Sequence, residues 1–133
     1  MYKLSKRSHE RLRGVSPDLC AVVKRAIELT DIDFGVSEGL RDERTQREYV
    51  AKGASTTMKS RHLTGHAVDL YAYVGGMARW EWPLYEKIAT AMFKAADELG
   101  VDLEWGGNWK SFKDGPHFQL SWERYPADSA ACE

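Results

Sequence analysis

The sequence predicts an α+β domain in which a small antiparallel sheet carries helices packed on one face. Three observations lead to this prediction. Amphipathic helical segments alternate with short strands, two segments alternate apolar and polar residues strictly, and no repeat or linker divides the chain. We therefore expect residues 1–133 to form a single domain with short terminal tails, a length sufficient to bury one hydrophobic core.

The first predicted helix begins at Ser16-Pro17, where a capping hydroxyl precedes a proline at the first helical position. Apolar residues recur behind it at helical spacing as far as Ile27. Residues 33–37 then predict a short strand. The basic residues 1–13 and the Ala-rich residues 126–133 are expected to be terminal tails.

The middle of the chain contains a helix, a loop and the clearest strand. Thr45 to Lys52 predicts a second helix, and the aperiodic residues 53–66 predict a polar loop that is long for so small a domain. Ala67 to Val74 alternates strictly, so Asp69 lies on one strand face while the apolar residues lie on the other. An acidic side chain in such a run is unexpected.

The last third predicts one long helix and two more strands. The helix runs from Pro83 to Leu99 with an apolar stripe along one side. Val101 to Trp105 predicts a strand that ends at a Gly-Gly turn, and His117 to Trp122 predicts an alternating strand that pairs antiparallel with its neighbours.

Composition and charge exclude several classes of function. Nineteen Lys and Arg balance twenty Asp and Glu, so the chain has no overall basic field for binding nucleic acid. No apolar run is long enough to span a membrane. The basic N-terminal residues lack the apolar core of a secretory signal, so we expect synthesis in the cytoplasm.

Histidine and aspartate residues at unusual positions predict a metal site. An unpaired carboxylate on a half-buried strand is costly, and a metal ion shared with imidazoles would compensate it. His62, Asp69 and His117 would supply two nitrogens and one oxygen to Zn²⁺ and leave a fourth position for water. His62 and Asp69 can meet only if the chain turns back near Gly65. Spacing alone allows His66 in place of His62.

A fourth candidate, Asp114, precedes His117 by one Gly-Pro turn. Such a turn can place its carboxylate beside the water of a metal site without binding the metal, which is the position of a general base. Asp-Gly is also a common turn pair, so the spacing equally allows a purely structural role.

Two separated groups of residues resemble the M15 zinc peptidases, which include D-alanyl-D-alanine carboxypeptidases and dipeptidases. These groups are Ser60-x-His62-x-x-Gly65-x-Ala67-x-Asp69 and Asp114-x-Pro116-His117-Phe118. The segment from Trp105 through Phe112 to Gln119 is most similar to the branch containing phage L-alanyl-D-glutamate endopeptidases. Upstream, Ser37-Glu38-Gly39-Leu40-Arg41 with Gln46 is similar to the family's Ser-Gly-Tyr-Arg…Gln element.

The resemblance implies a role for each matching residue. His62, Asp69 and His117 become the ligands of one zinc ion per chain. Asp114 becomes the catalytic base, and Arg41 is implied to stabilise the tetrahedral oxyanion. Gln46 and Ser60 are implied to lie near the substrate. Four aromatic residues are candidates either for the substrate groove or for the core: Tyr71, Tyr73, Trp105 and Trp109.

The implied function is zinc-dependent hydrolysis of peptidoglycan stem peptides, at the L-alanyl–D-glutamate bond, by a monomeric phage endolysin. Such a protein would act on the cell wall in the periplasm after release through a separate membrane pore. Two alternatives stay open: a D-alanyl-D-alanine carboxypeptidase or dipeptidase, and a non-catalytic zinc module of the same fold. A base at Asp114 argues against the second, because a structural zinc ion needs none.

Overall fold

The computed structural model describes residues 1–55, 60–111 and 113–126. Phe112 of the family-like motif and the Ala-rich C-terminal residues from 127 onward lie outside the described residues. The helices within these ranges are α1 (Lys6–Arg11), α2 (Pro17–Leu29), α3 (Glu43–Ala51) and α4 (Trp82–Leu99). The strands are β1 (Phe34–Glu38), β2 (Ala67–Val74), β3 (Met77–Arg79), β4 (Leu103–Trp105) and β5 (His117–Leu120).

The strands form one antiparallel sheet in the order β1-β2-β5-β4, and β3 pairs with β2. Strand β2 has the bounds predicted from its alternation. Its pairing with β5 places Asp69 opposite His117 and Val68 opposite Phe118. Because paired residues lie on the same face of a sheet, the two polar residues share one face and the two apolar residues share the other.

The apolar face of the sheet forms the core with the two long helices. Val68, Leu70, Phe118 and Leu120 have no exposed surface there. Helices α2 and α4 pack against each other, and α4 also contacts β2 and β4. The predicted α+β fold class is therefore confirmed. None of the helices in the described part of the chain has the length and apolar character to cross a membrane.

The prediction of an N-terminal tail was wrong, because residues 6–11 form helix α1. Ser5 caps this helix by accepting a hydrogen bond from the backbone N–H of Ser8. The buried Ser8 hydroxyl accepts a hydrogen bond from the N–H of Val36 at 2.9 Å, and Arg11 donates to the carbonyl of Val36. Because polar contacts attach α1 to β1, the helix has no apolar stripe by which its sequence could be recognised as helical.

Other differences concern the ends of elements. Helix α3 begins two residues before Thr45 because Asp42 caps it, accepting a hydrogen bond from the Thr45 N–H at 2.7 Å. The chain continues past Gly75-Gly76 into the short strand β3, which the sequence analysis did not predict. Strands β4 and β5 are shorter than predicted. Residues Arg61–Thr64 of the predicted loop form a 3₁₀ turn.

Candidate metal centre

The 3₁₀ turn at Arg61–Thr64 brings His62 to the sheet. Ser60 caps the turn, its hydroxyl accepting a hydrogen bond from the N–H of His62 at 3.2 Å. Gly65 ends the turn with φ of 77°, a left-handed conformation that glycine adopts without strain. The chain thereby reverses before Asp69, and the predicted turn near Gly65 is confirmed.

The side chains of His62, Asp69 and His117 meet on the polar face of the sheet. The Nε2 atom of His62 and the Nδ1 atom of His117 each lie 3.2 Å from the Oδ1 atom of Asp69. One candidate ligand atom from each residue lies within 4.8 Å of the other two. Ligand atoms that surround a tetrahedral zinc ion at about 2.0–2.2 Å are themselves separated by roughly 3.3–3.6 Å. The observed spacing therefore fits a zinc ion with little rearrangement.

Hydrogen-bond acceptors lie on the far sides of both candidate histidine ligands, away from Asp69. The Nδ1 atom of His62 lies 2.8 Å from the carbonyl oxygen of Gly39, which can only accept. The Nε2 atom of His117 lies 2.8 Å from the amide oxygen of Gln119. The carboxylate of Asp69 can also only accept, so each ring has an acceptor at both of its nitrogens. Both acceptors are satisfied when the ring is protonated, or when the outer nitrogen donates its proton and the inner nitrogen binds one metal ion together with Asp69, which is the donor chemistry of a metal site.

The competing ligand His66 faces away from this cluster. Its Nδ1 atom lies 2.6 Å from the hydroxyl of Thr64, and its ring lies near the ring of Tyr125. The side chain is buried, and burial together with the charge of Arg61 lowers the pKa of His66. Of the two histidines that spacing allowed, the structure places His62 and not His66 beside Asp69 and His117.

The electrostatics of the cluster favour an ionised Asp69. Burial disfavours its charge, but the contacts with His117 and His62 outweigh burial and hold the pKa of Asp69 well below its usual range. Burial also disfavours a charged His117, and there the contact with Asp69 raises the pKa above its usual value. Both shifts reflect the attraction between the Asp69 carboxylate and a positive charge beside it, which a proton or a metal ion can supply.

Asp114 reaches the same site from the loop between β4 and β5. Its backbone N–H donates to the carbonyl of Gly106 at 3.0 Å, and its carbonyl accepts from the N–H of His117 at 3.2 Å. A side chain at position 106 would collide with Asp114, since an added Cβ would lie 2.4 Å from the Asp114 carbonyl oxygen. Burial, together with the negative charge of Asp69, raises the pKa of the Asp114 carboxyl. The loop thus places a second carboxylate beside the candidate ligands.

The three candidate ligands and Asp114 line one open cavity of about 510 Å³. Trp109 forms part of its wall, with its ring centroid 5.1 Å from that of His117. Trp105 is instead buried in the core, where its ring stacks on Phe118. Of the aromatic candidates from the sequence, Trp109 thus lines the cavity and Trp105 packs in the core.

Arg41 lines the cavity beside the candidate ligands and is 9% exposed. Its Nε atom donates to Glu38, and its Nη1 atom donates to Gln46 and Ser60. The guanidinium also lies over the ring of Tyr49, with its central carbon 4.5 Å from the ring centroid. Within the described residues Nη2 makes no hydrogen bond to the protein, so a substrate oxygen can use this donor.

The two residues implied to lie near the substrate occupy different positions. Ser60 lines the cavity and accepts a hydrogen bond from Arg41 at 3.4 Å. Gln46 has no exposed surface, and its amide oxygen accepts from Arg41. Gln46 therefore does not line the cavity itself but holds Arg41, which does.

Several residues without a role predicted from the sequence also line the cavity. Gln119 lies two residues beyond His117 on the same strand face, and Glu104 faces it from β4. Arg61 lies beneath the ring of Trp122, with its central carbon 4.0 Å from the ring centroid. Strand alternation was the available signal for Gln119, whereas Glu104 and Arg61 required the strand register and the path of the loop.

The sequence relatives of this chain are L-alanyl-D-glutamate peptidases. A sequence model for the family described as phage L-alanyl-D-glutamate peptidase matches residues 1–121. The chain belongs to this family. It is 32% identical to the L-alanyl-D-glutamate peptidase of Escherichia phage T5 over 85% of each sequence. It is 36% identical to the L-alanyl-D-glutamate peptidase of Listeria phage A118 over 77% of this chain and 35% of that protein.

Solved structures share the fold of this chain. The crystal structure of the Serratia marcescens L-Ala D-Glu endopeptidase ChiX matches 91% of each chain with a TM-score of 0.88 and 54% identity. The vancomycin resistance D,D-dipeptidase VanXYg matches 80% of this chain and half of its own, with a TM-score of 0.52 and 16% identity. The second likeness concerns the fold alone.

Proposed function

We propose that this member of the phage L-alanyl-D-glutamate peptidase family is a zinc-dependent endopeptidase that cuts the L-alanyl–D-glutamate amide of peptidoglycan stem peptides. The observation that carries the proposal is one cavity lined by His62, Asp69, His117 and the separate carboxylate of Asp114. Three ligands and a nearby base are the composition of a catalytic zinc site, whereas a structural site is closed by four ligands. Family membership supports the choice of bond.

His62, Asp69 and His117 would hold the ion, because the outer nitrogen of each ring has a hydrogen-bond acceptor while the inner nitrogen faces Asp69. When bound in this site, a zinc ion would polarise the scissile carbonyl and lower the pKa of the attacking water. The backbone carbonyl of Gly39 fixes the ring of His62 and so keeps its Nε2 atom directed at the site.

Asp114 is the general base in this proposal. Its carboxylate lines the cavity and accepts no hydrogen bond from the protein within the described residues, so it is free to accept a proton from the attacking water. It then gives this proton to the leaving amine of D-glutamate. Burial raises the pKa of Asp114, which makes its carboxylate a stronger base than an exposed one.

Arg41 stabilises the negative charge that develops on the carbonyl oxygen. Glu38 and Gln46 fix the guanidinium from one side, which leaves Nη2 as the donor for the substrate. A donor held in advance at the position where charge develops lowers the barrier without reorganising during the reaction. Gln46 and Ser60 contribute by holding Arg41, and Ser60 also lies at the cavity wall.

We further propose that the protein works as a monomeric endolysin on the periplasmic cell wall, which it reaches through a separate pore. All proposed ligands, the base and Arg41 come from one chain, so a second copy is not needed to complete the site.

Digestion of purified muropeptides tests the choice of bond. Mass spectrometry of the products should show a new free amine on D-glutamate and an L-alanine carboxylate left on the glycan. Release of D-alanine or of D-alanyl-D-alanine would instead support the carboxypeptidase or dipeptidase alternative. No cleavage by a zinc-loaded protein would favour the non-catalytic module.

A further inference from the structure

Two polar residues without an assigned role lie behind His117, on the side away from Asp69. The amide oxygen of Gln119 lies 2.8 Å from Nε2 of His117. The amide nitrogen of Gln119 donates to the carboxylate of Glu104 at 3.0 Å. Gln119 is buried, and the sheet places it directly opposite Glu104 in the pairing of β4 with β5. The three side chains therefore form a continuous chain of hydrogen bonds.

The chemistry of these groups determines which atom donates in each of these hydrogen bonds. A carboxylate can only accept, so Glu104 turns the amide nitrogen of Gln119 towards itself. The amide oxygen must then face His117, and it accepts the proton of Nε2. That assignment leaves the lone pair of the neutral ring on Nδ1, the atom that faces Asp69. Glu104 thus orients the amide that faces a histidine with which Glu104 itself makes no hydrogen bond.

The two proposed histidine ligands differ in how their tautomers are fixed. His62 donates to the backbone carbonyl of Gly39, which no substitution of a side chain removes. His117 depends on Gln119 and Glu104, which are both replaceable. The positive charge of the buried Arg61 is attracted by the carboxylate of Glu104, which raises the pKa of Arg61 while burial lowers it.

We propose that Gln119 and Glu104 are positioning residues that hold His117 in the Nε2–H tautomer and thereby set the affinity of the site for zinc. The inference deepens the proposed function and rests on its assignment of His117 as a ligand. Hydrogen-bond partners of this kind change metal affinity by about 10–100-fold when they are removed. Gln119 and Glu104 do not contact the substrate in this proposal, so their effect is on the ligand.

Zinc affinity provides the test, measured by competition of the metal-free protein with a chromophoric chelator. Gln119→Leu should weaken zinc binding by about 10–100-fold. The double variant Glu104→Gln with Gln119→Glu should restore it, because the amide introduced at position 104 can donate to the carboxylate introduced at position 119, which still accepts from His117. Ser121→Ala is the control. It removes a buried polar side chain just beyond β5 that is not part of this hydrogen-bond chain, and the variant should bind zinc like the wild type.

The ring nitrogens of His117 give a second readout that a loss of packing would not imitate. In the zinc-loaded wild type, ¹⁵N-edited proton spectra should show a hydrogen-bonded proton on Nε2 of His117. This proton should shift upfield in Gln119→Leu, which removes its acceptor, and should return downfield in the double variant.

Several results would overturn the inference. They are the absence of a hydrogen-bonded Nε2 proton in the zinc-loaded wild type, unchanged zinc affinity in Gln119→Leu, or equal losses in Gln119→Leu and the double variant. Failure of the wild type itself to bind zinc would instead overturn the proposed metal site, so the two failures are distinguishable.

Discussion

Replacing Asp114 by Asn removes the proposed base and leaves its surroundings in place. The loop is held by backbone hydrogen bonds to Gly106 and from His117, which the substitution does not change. The carboxylate accepts no hydrogen bond from the protein within the described residues, so the amide breaks none. We therefore expect Asp114→Asn to fold and to retain zinc.

The expected loss of rate follows from the role of Asp114 in proton transfer. General base catalysis is typically worth about 10²–10⁴-fold, which corresponds to roughly 2.7–5.4 kcal/mol of transition-state stabilisation. An amide cannot accept the proton at neutral pH, so kcat should fall by this range. KM should change little, because the proton moves only in the reaction step.

Initial rates on muropeptides, with zinc content measured on the same samples, provide the assay. Asp97→Asn removes an equal charge from the exposed side of α4 and should retain the wild-type rate. A wild-type rate in Asp114→Asn would refute the base and favour a turn-forming role for this residue. Loss of zinc in that variant would mean that Asp114 is a ligand.

Three further predictions concern the ligands, Arg41 and pH. His117→Ala should lose zinc and activity together while His66→Ala keeps zinc, as metal analysis of both variants will show; the opposite pattern would exchange their roles. Arg41→Ala should keep zinc but lower kcat by about 10²–10³-fold, the usual effect of removing an oxyanion donor; an unchanged kcat would exclude that role. Burial lowers the pKa of His66 in the folded protein, so its contribution to stability is present above the unfolded pKa of about 6.5 and is lost as the pH falls through the folded pKa. Urea unfolding of the metal-free protein should therefore depend less on acid in His66→Gln, and an equal dependence would contradict this.

The sequence predicted the centre of the fold well because its signals there are local. Strict alternation gave the bounds of β2 and placed Asp69 on the polar face, and the same pattern placed His117 on β5. Gly65 marked the turn that brings His62 back to the sheet. Spacing alone did not distinguish His62 from His66, because the direction of each ring depends on its contacts in the fold.

The features that the sequence did not predict depend on contacts between distant residues. Helix α1 is attached through Ser8 to Val36, and neither residue has a neighbour in sequence that indicates this contact. The position of Glu104 opposite Gln119 follows from the register of β4 on β5, which alternation does not specify. Local patterns therefore predicted the candidate ligands, whereas the groups proposed to orient them required the structure.

Stepwise addition of zinc to the metal-free protein, with activity on muropeptides measured at each step, tests the central claim most directly. If His62, Asp69 and His117 hold one catalytic ion, activity should be absent without metal and should reach a plateau at one zinc ion per chain. The His117→Ala variant should show no such rise at the same concentrations. Full activity in the metal-free protein, or a rise that is unchanged in His117→Ala, would contradict the account.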